Sequence, residues 1–109
     1  MAFDNTLADR LRKQLGKRKG LTEKKMFGGL SFLLNGNMCC GVHGQEMIVR
    51  LDPAESDQAL RNKHTRIFDL TGRPMKGWIV VQPKGLLMEK DFEHWVKAGV
   101  NYAASLPPK

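Results

Sequence analysis

Two kinds of apolar spacing divide the chain. Leu7, Leu11 and Leu15 recur at i, i+4 and i+8 and form one helical stripe, with Arg10, Arg12 and Lys13 mostly off it. Asp4 or Asn5 is placed to cap this helix; Gly16 and Gly20 end it, and Lys17-Arg18-Lys19 form an exposed corner. From Lys25 to Leu34 the period changes to two. Met26, Leu30, Phe32 and Leu34 share one face with Gly28, and Phe27, Gly29, Ser31 and Leu33 share the other. Apolar residues on both faces predict a strand covered on both sides. Asn35-Gly36-Asn37 is a tight-turn signal, and Met38–Val42 returns as a second strand. A turn at His43-Gly44-Gln45-Glu46 leads to a third, Met47–Leu51.

Asp52-Pro53-Ala54-Glu55 opens a second helix, with Asp as cap and Pro at the first helical position, running to about Lys63. Residues 64–74 read as a loop anchored by Ile67, Phe68 and Leu70, with a turn at Gly72-Arg73-Pro74. Trp78–Gln82 is a further strand, closed by Pro83-Lys84-Gly85. Glu89–Leu106 is the last helix, with Phe92, Trp95, Val96, Gly99, Tyr102, Ala103 and Leu106 on one face. The order α-β-β-β-α-β-α predicts one α+β domain over residues 1–109, two-layered, with helices on a mostly antiparallel sheet.

Composition narrows the setting. No apolar run approaches the roughly 18–20 residues that span a bilayer, and the N-terminus has no apolar segment behind a basic start. A cytoplasmic protein without a membrane partner is expected. The formal charge is +7, concentrated at one end. Residues 1–25 carry eight Lys/Arg against three acids, a surplus of five. Arg10, Lys13, Lys17, Arg18, Lys19, Lys24 and Lys25 are therefore candidates for phosphate contacts with nucleic acid. The alternative is a solvated helix end that keeps the domain soluble.

Candidate chemistry is sparse. Cys39 and Cys40 are adjacent, and a disulfide between neighbours is strained, so free thiols are expected. Strand alternation sends them to opposite faces, which argues against one shared metal ion, and no Cys/His spacing supplies further ligands. Buried small hydrophobes or a redox-active thiol remain as readings. Met26-Phe27-Gly28-Gly29 lacks the spacing of a phosphate loop and opens no helix; close strand packing or a bulge accounts for its glycines. His43, His64 and His94 have no carboxylate at motif spacing, and Ser31, Ser56 and Ser105 lack a nucleophile elbow. No catalytic residue, metal or cofactor is expected. Arg50, between Val49 and Leu51, points to the less buried sheet face, where it pairs with Asp69 or meets an anionic or acidic partner. Without a helix on that face, Phe27, Leu33, Ile48, Ile79 and Val81 would be exposed, and the chain would form a homodimer through them. The methionines, with Trp78, would add an adaptable apolar surface.

The segments KKMFGGLSFLLNGNMCCGV, IVRLDP and FDLTGRPMKGWIVV, with the closing W-x6-Y-x3-LPP, resemble the N-terminal domain of the TfoX/Sxy family across nearly the whole chain. The resemblance implies a small α+β domain of the secretion-chaperone-like type. It also implies a role in regulation, since named members assist transcription at competence promoters in bacteria. Such regulators carry a second, helical C-terminal domain, whereas this chain stops at Lys109. A stand-alone relative or a fragment is expected. The resemblance supplies no catalytic residues. The expected function is a non-enzymatic regulatory or adaptor domain that contacts another protein and itself. The alternative is a nucleic-acid-binding accessory using residues 10–25.

Overall fold

The computed structural model describes residues 4–26, 29–69 and 76–108. Phe27, Gly28, and Leu70 to Met75 with Arg73 lie outside the described residues. Helix α1 spans Asn5–Leu15. The Asp4 carboxylate accepts from the Thr6 amide at 2.8 Å. Leu7, Leu11 and Leu15 are buried, as their spacing predicts, together with Ala8, and Gly16 closes the helix at φ +64°.

Six antiparallel strands follow: β1 Leu21–Met26, β2 Gly29–Leu34, β3 Asn37–His43, β4 Glu46–Arg50, β5 Thr65–Ile67 and β6 Trp78–Val81. They lie side by side in the order β1-β2-β3-β4-β6-β5. Asn35 and Gly36 both take positive φ (53° and 85°), as a two-residue hairpin turn requires, and Asn37 already pairs with Leu34. The α+β, two-layer reading holds, with two strands added. The single strand read over 25–34 is the inner half of a hairpin whose outer arm is β1. The loop read over 64–74 contains β5. Both added strands are sheet edges. Edges need no apolar alternation and tolerate charge, as Glu23, Lys24 and Lys25 show in β1.

Helix α2 covers Pro53–Ala59, shorter than expected, with Asp52 accepting from the Ala54 amide at 2.9 Å. Pro83–Leu86 forms a 3₁₀ turn, and α3 runs Glu89–Ser105. Helices α1 and α3 cover one sheet face. Their core joins Leu11, Leu15, Phe92, Trp95, Val96 and Val100 to Phe32, Val42, Met47, Val49, Ile79 and Val81. Each large side chain withdrawn from water there contributes about 1.5–3 kcal/mol. No helix among the described residues is long and apolar enough to cross a membrane.

The opposite sheet face carries a second, smaller cluster of Met38, Ile48, Phe68 and Val80, with Trp78 packed against it. This corrects the expectation of an exposed apolar face. Pairing of Ile48 with Val80, and of Met47 with Val81, turns Ile79 and Val81 toward the helices. Both are fully buried, and Ile48 is only 2% exposed in the single chain. Leu33 is half-buried. The WIVV segment is apolar on both faces, so spacing alone does not say which residues meet the helices; register does.

Candidate functional site

The strongest departure from strand alternation lies at the cysteines. Phe32 pairs with Cys40, yet Leu33 pairs with Met38, so Cys39 is an extra residue in β3. This β-bulge breaks the two-residue period. Cys39 and Cys40 do not point to opposite faces as expected; both are fully buried in the helix-side core. Their sulfurs are 3.7 Å apart, and Cys39 Sγ donates to the Phe32 carbonyl at 3.4 Å. Both are free thiols. A hydrogen bond from the Cys40 thiol holds Cys39 below the ordinary thiol range, against the effect of burial and with help from backbone amides and the Arg18 charge. Cys40 is pushed well up, first by donating to Cys39, then by burial and by the neighbouring charge. Helix α3 crosses at this point. A Cβ on Gly99 would collide with the Cys39 carbonyl oxygen, so only glycine allows the contact. A Cβ on Gly29 would likewise collide with the Val42 carbonyl of β3, so that glycine serves strand packing rather than a phosphate.

The basic residues separate into two groups. Arg10 donates to the Leu86 carbonyl at 3.0 Å, reaches Glu89 at 3.4 Å and lies 4.1 Å over the Phe92 ring. It joins α1 to α3. Arg12 is held by both oxygens of Glu23 at 2.9 Å and by Asp9 at 2.9 Å. These carboxylates raise its pKa. Arg18 donates to the Leu15 carbonyl at the end of α1. Lys13, Lys17, Lys19, Lys24 and Lys25 are exposed, and no ion pair engages them among the described residues. Of the seven candidates for phosphate contact, Arg10 and Arg18 thus have structural work, and the five lysines form the open cationic surface.

Arg50 does not pair with Asp69. Its guanidinium lies 5.1 Å from the Trp78 ring centroid and 5.6 Å from that of Tyr102, while Asp69 faces Arg66 at 4.0 Å. His43 lines a small cleft with Glu46 and Arg66, and His94 stands in a groove of about 400 Å³ between α2 and α3 with Asp52, Glu55 and Lys97. His64 lies beside Gly85. No group of three or more His, Cys, Asp or Glu suited to a metal ion occurs among the described residues.

One surface feature had no signal in the spacing. Leu87 and Met88, at the entry to α3, are 77% and 65% exposed, the two exposed large hydrophobics among the described residues. Leu87 borders a crevice of about 280 Å³ that includes Asp4, Thr6, Arg10, Gln45 and Pro83. The Asp4 amide donates to the Gly44 carbonyl at 2.7 Å, fixing the α1 end of this crevice to the β3–β4 turn.

Comparison with protein families matches residues 13–103 to the TfoX N-terminal domain. No curated protein and no solved structure matches the chain.

Proposed function

This chain belongs to the TfoX N-terminal domain family, and from that premise we propose that it is a non-enzymatic regulatory or adaptor domain working through protein contacts. The supporting observation is the exposed Leu87-Met88 pair beside a crevice built from α1, the β3–β4 turn and the 3₁₀ turn. Exposed apolar side chains on the rim suit a protein partner, and the polar crevice beside them supplies orientation. The partner is a second copy of this chain or a separate regulatory protein. Sedimentation over a wide concentration range reads the first, and capture from a bacterial lysate the second. A Leu87→Asp, Met88→Asp variant is expected to keep the fold and lose whichever association the parent shows. Retention of that association by the variant, or no association in either assay, overturns this reading.

A second reading rests on Lys13, Lys17, Lys19, Lys24 and Lys25, exposed on α1, the α1–β1 turn and the sheet edge, which no ion pair engages among the described residues. Such a surface suits the phosphates of nucleic acid without reading bases. Fluorescence anisotropy with a labelled duplex tests it. Five phosphate contacts would give a log–log salt slope of about −4 to −5. No binding at low salt ends this reading.

A further inference from the structure

We propose that Cys39 and Cys40 form an oxidation site: a dithiol that a peroxide converts to a disulfide, displacing α3 from β3. The geometry carries it in three parts. The bulge at Cys39 brings the sulfurs of adjacent residues onto one side of the strand, 3.7 Å apart, where regular alternation would separate them. Nothing but backbone separates Cys39 from α3, because Gly99 presents no side chain to the Cys39 carbonyl. The site also lies at the centre of the helix–sheet core, among Cys39, Cys40, Phe32, Val49 and Val96.

The chemistry balances with a peroxide as the two-electron oxidant. The Cys39 thiolate attacks one peroxide oxygen; an S–O bond forms, the O–O bond breaks, and hydroxide leaves to become water. The Cys40 thiol then attacks the Cys39 sulfur of the resulting sulfenic acid. An S–S bond forms, the S–O bond breaks, and the second oxygen leaves as water with the Cys40 proton. The roles follow from the electrostatics: Cys39 is held below the ordinary thiol range, while Cys40 keeps its proton until the second step. Neither sulfur is exposed, so peroxide enters during local opening of the bulge.

Closing the bond brings the sulfurs from 3.7 Å to about 2.05 Å. Neighbouring Cα atoms are only about 3.8 Å apart, below the range of relaxed disulfides. The backbone at Cys39 must therefore move, and the close backbone contact with Gly99 passes that movement to α3. Strain also makes the disulfide easy to reduce, which suits a reversible change.

Intact-mass analysis after hydrogen peroxide treatment of the reduced native chain tests the chemistry. The expected product loses about 2 Da and regains it with a dithiol reductant, while Cys40→Ser gains about 16 Da instead. Cys39→Ser is expected to remain unmodified at its remaining thiol. Thiols that stay reduced under peroxide that oxidises the urea-unfolded chain overturn the proposal, as does oxygen gain by the native chain without disulfide. Hydrogen exchange tests the consequence. Amides of residues 96–103 should exchange several-fold faster in the oxidised chain, and an unchanged α3 refutes the displacement.

Discussion

The two faces of the sheet bury apolar residues by different means. On one, α1 and α3 supply a broad second layer, and core residues come from those two helices, the 3₁₀ turn and four strands. On the other, Met38, Ile48, Phe68 and Val80 are buried with Trp78 packed against them, and among the described residues no helix residue joins the cluster. A sheet face therefore need not be solvated or await a partner merely because none of the described helices lies on it. Two aromatic side chains close enough to touch, with ring centroids 6.4 Å apart, are part of the cover.

The comparison can be broken most sharply at Phe92, fully buried on the helix side. Phe92→Ala should cost about 3–5 kcal/mol in urea unfolding. Phe68→Ala on the other face should cost less, about 2–3 kcal/mol, since a thin layer collapses more readily. If Phe68→Ala changes stability by under about 0.5 kcal/mol, the second face is no core. A smaller effect sharpens the helix side. Arg10→Ala removes a carbonyl partner and a cation–π contact between α1 and α3 and should cost about 1–2 kcal/mol. Only the part of that loss owed to the exposed Glu89 contact should shrink with salt. Arg12→Ala, whose partners are solvent-exposed, should cost about 0.2–1 kcal/mol and shrink as salt rises.

The buried thiols add a dependence on pH that belongs to the helix-covered face alone. The folded pKa of Cys40 is raised. Its contribution to stability is complete below the unfolded thiol value, near about 8.5, and is lost as pH rises through the folded value. Urea midpoints should fall above about pH 9. The double variant Cys39→Ala, Cys40→Ala should flatten that fall, because removing Cys40 alone would leave Cys39 buried without the hydrogen bond that holds it low; an unchanged slope means the thiols titrate equally in both states.

Much of this architecture is legible in the residues. Asp4 and the Leu7, Leu11, Leu15 stripe specify α1, Asp52-Pro53 opens α2, and Asn35-Gly36 makes its hairpin turn. What escapes spacing has a common physical origin: it depends on neighbours distant in sequence. β1 and β5 are edges, and edges carry no apolar signature. The inward turn of Ile79 and Val81 depends on register with β4. The shared orientation of the two cysteines depends on one extra residue in β3 that no local pattern announces. Arg10 reads as one more surface cation until the 3₁₀ turn and α3, nearly eighty residues later, supply its carbonyl and its ring.

The strand order has a consequence for the route by which the chain folds. β1 to β4 pair in sequence, each with the strand just before it, so they assemble through short loops. β6 instead enters between β4 and β5, across α2 and everything that follows it. β5 has no sheet partner until β6 arrives. Closing that larger loop is the slower entropic step. Val80 and Phe68 then join Ile48 only as the last two strands dock. Val80→Ala should accordingly speed unfolding more than it slows folding in a chevron measurement, while Val42→Ala, within the early meander, should do the reverse.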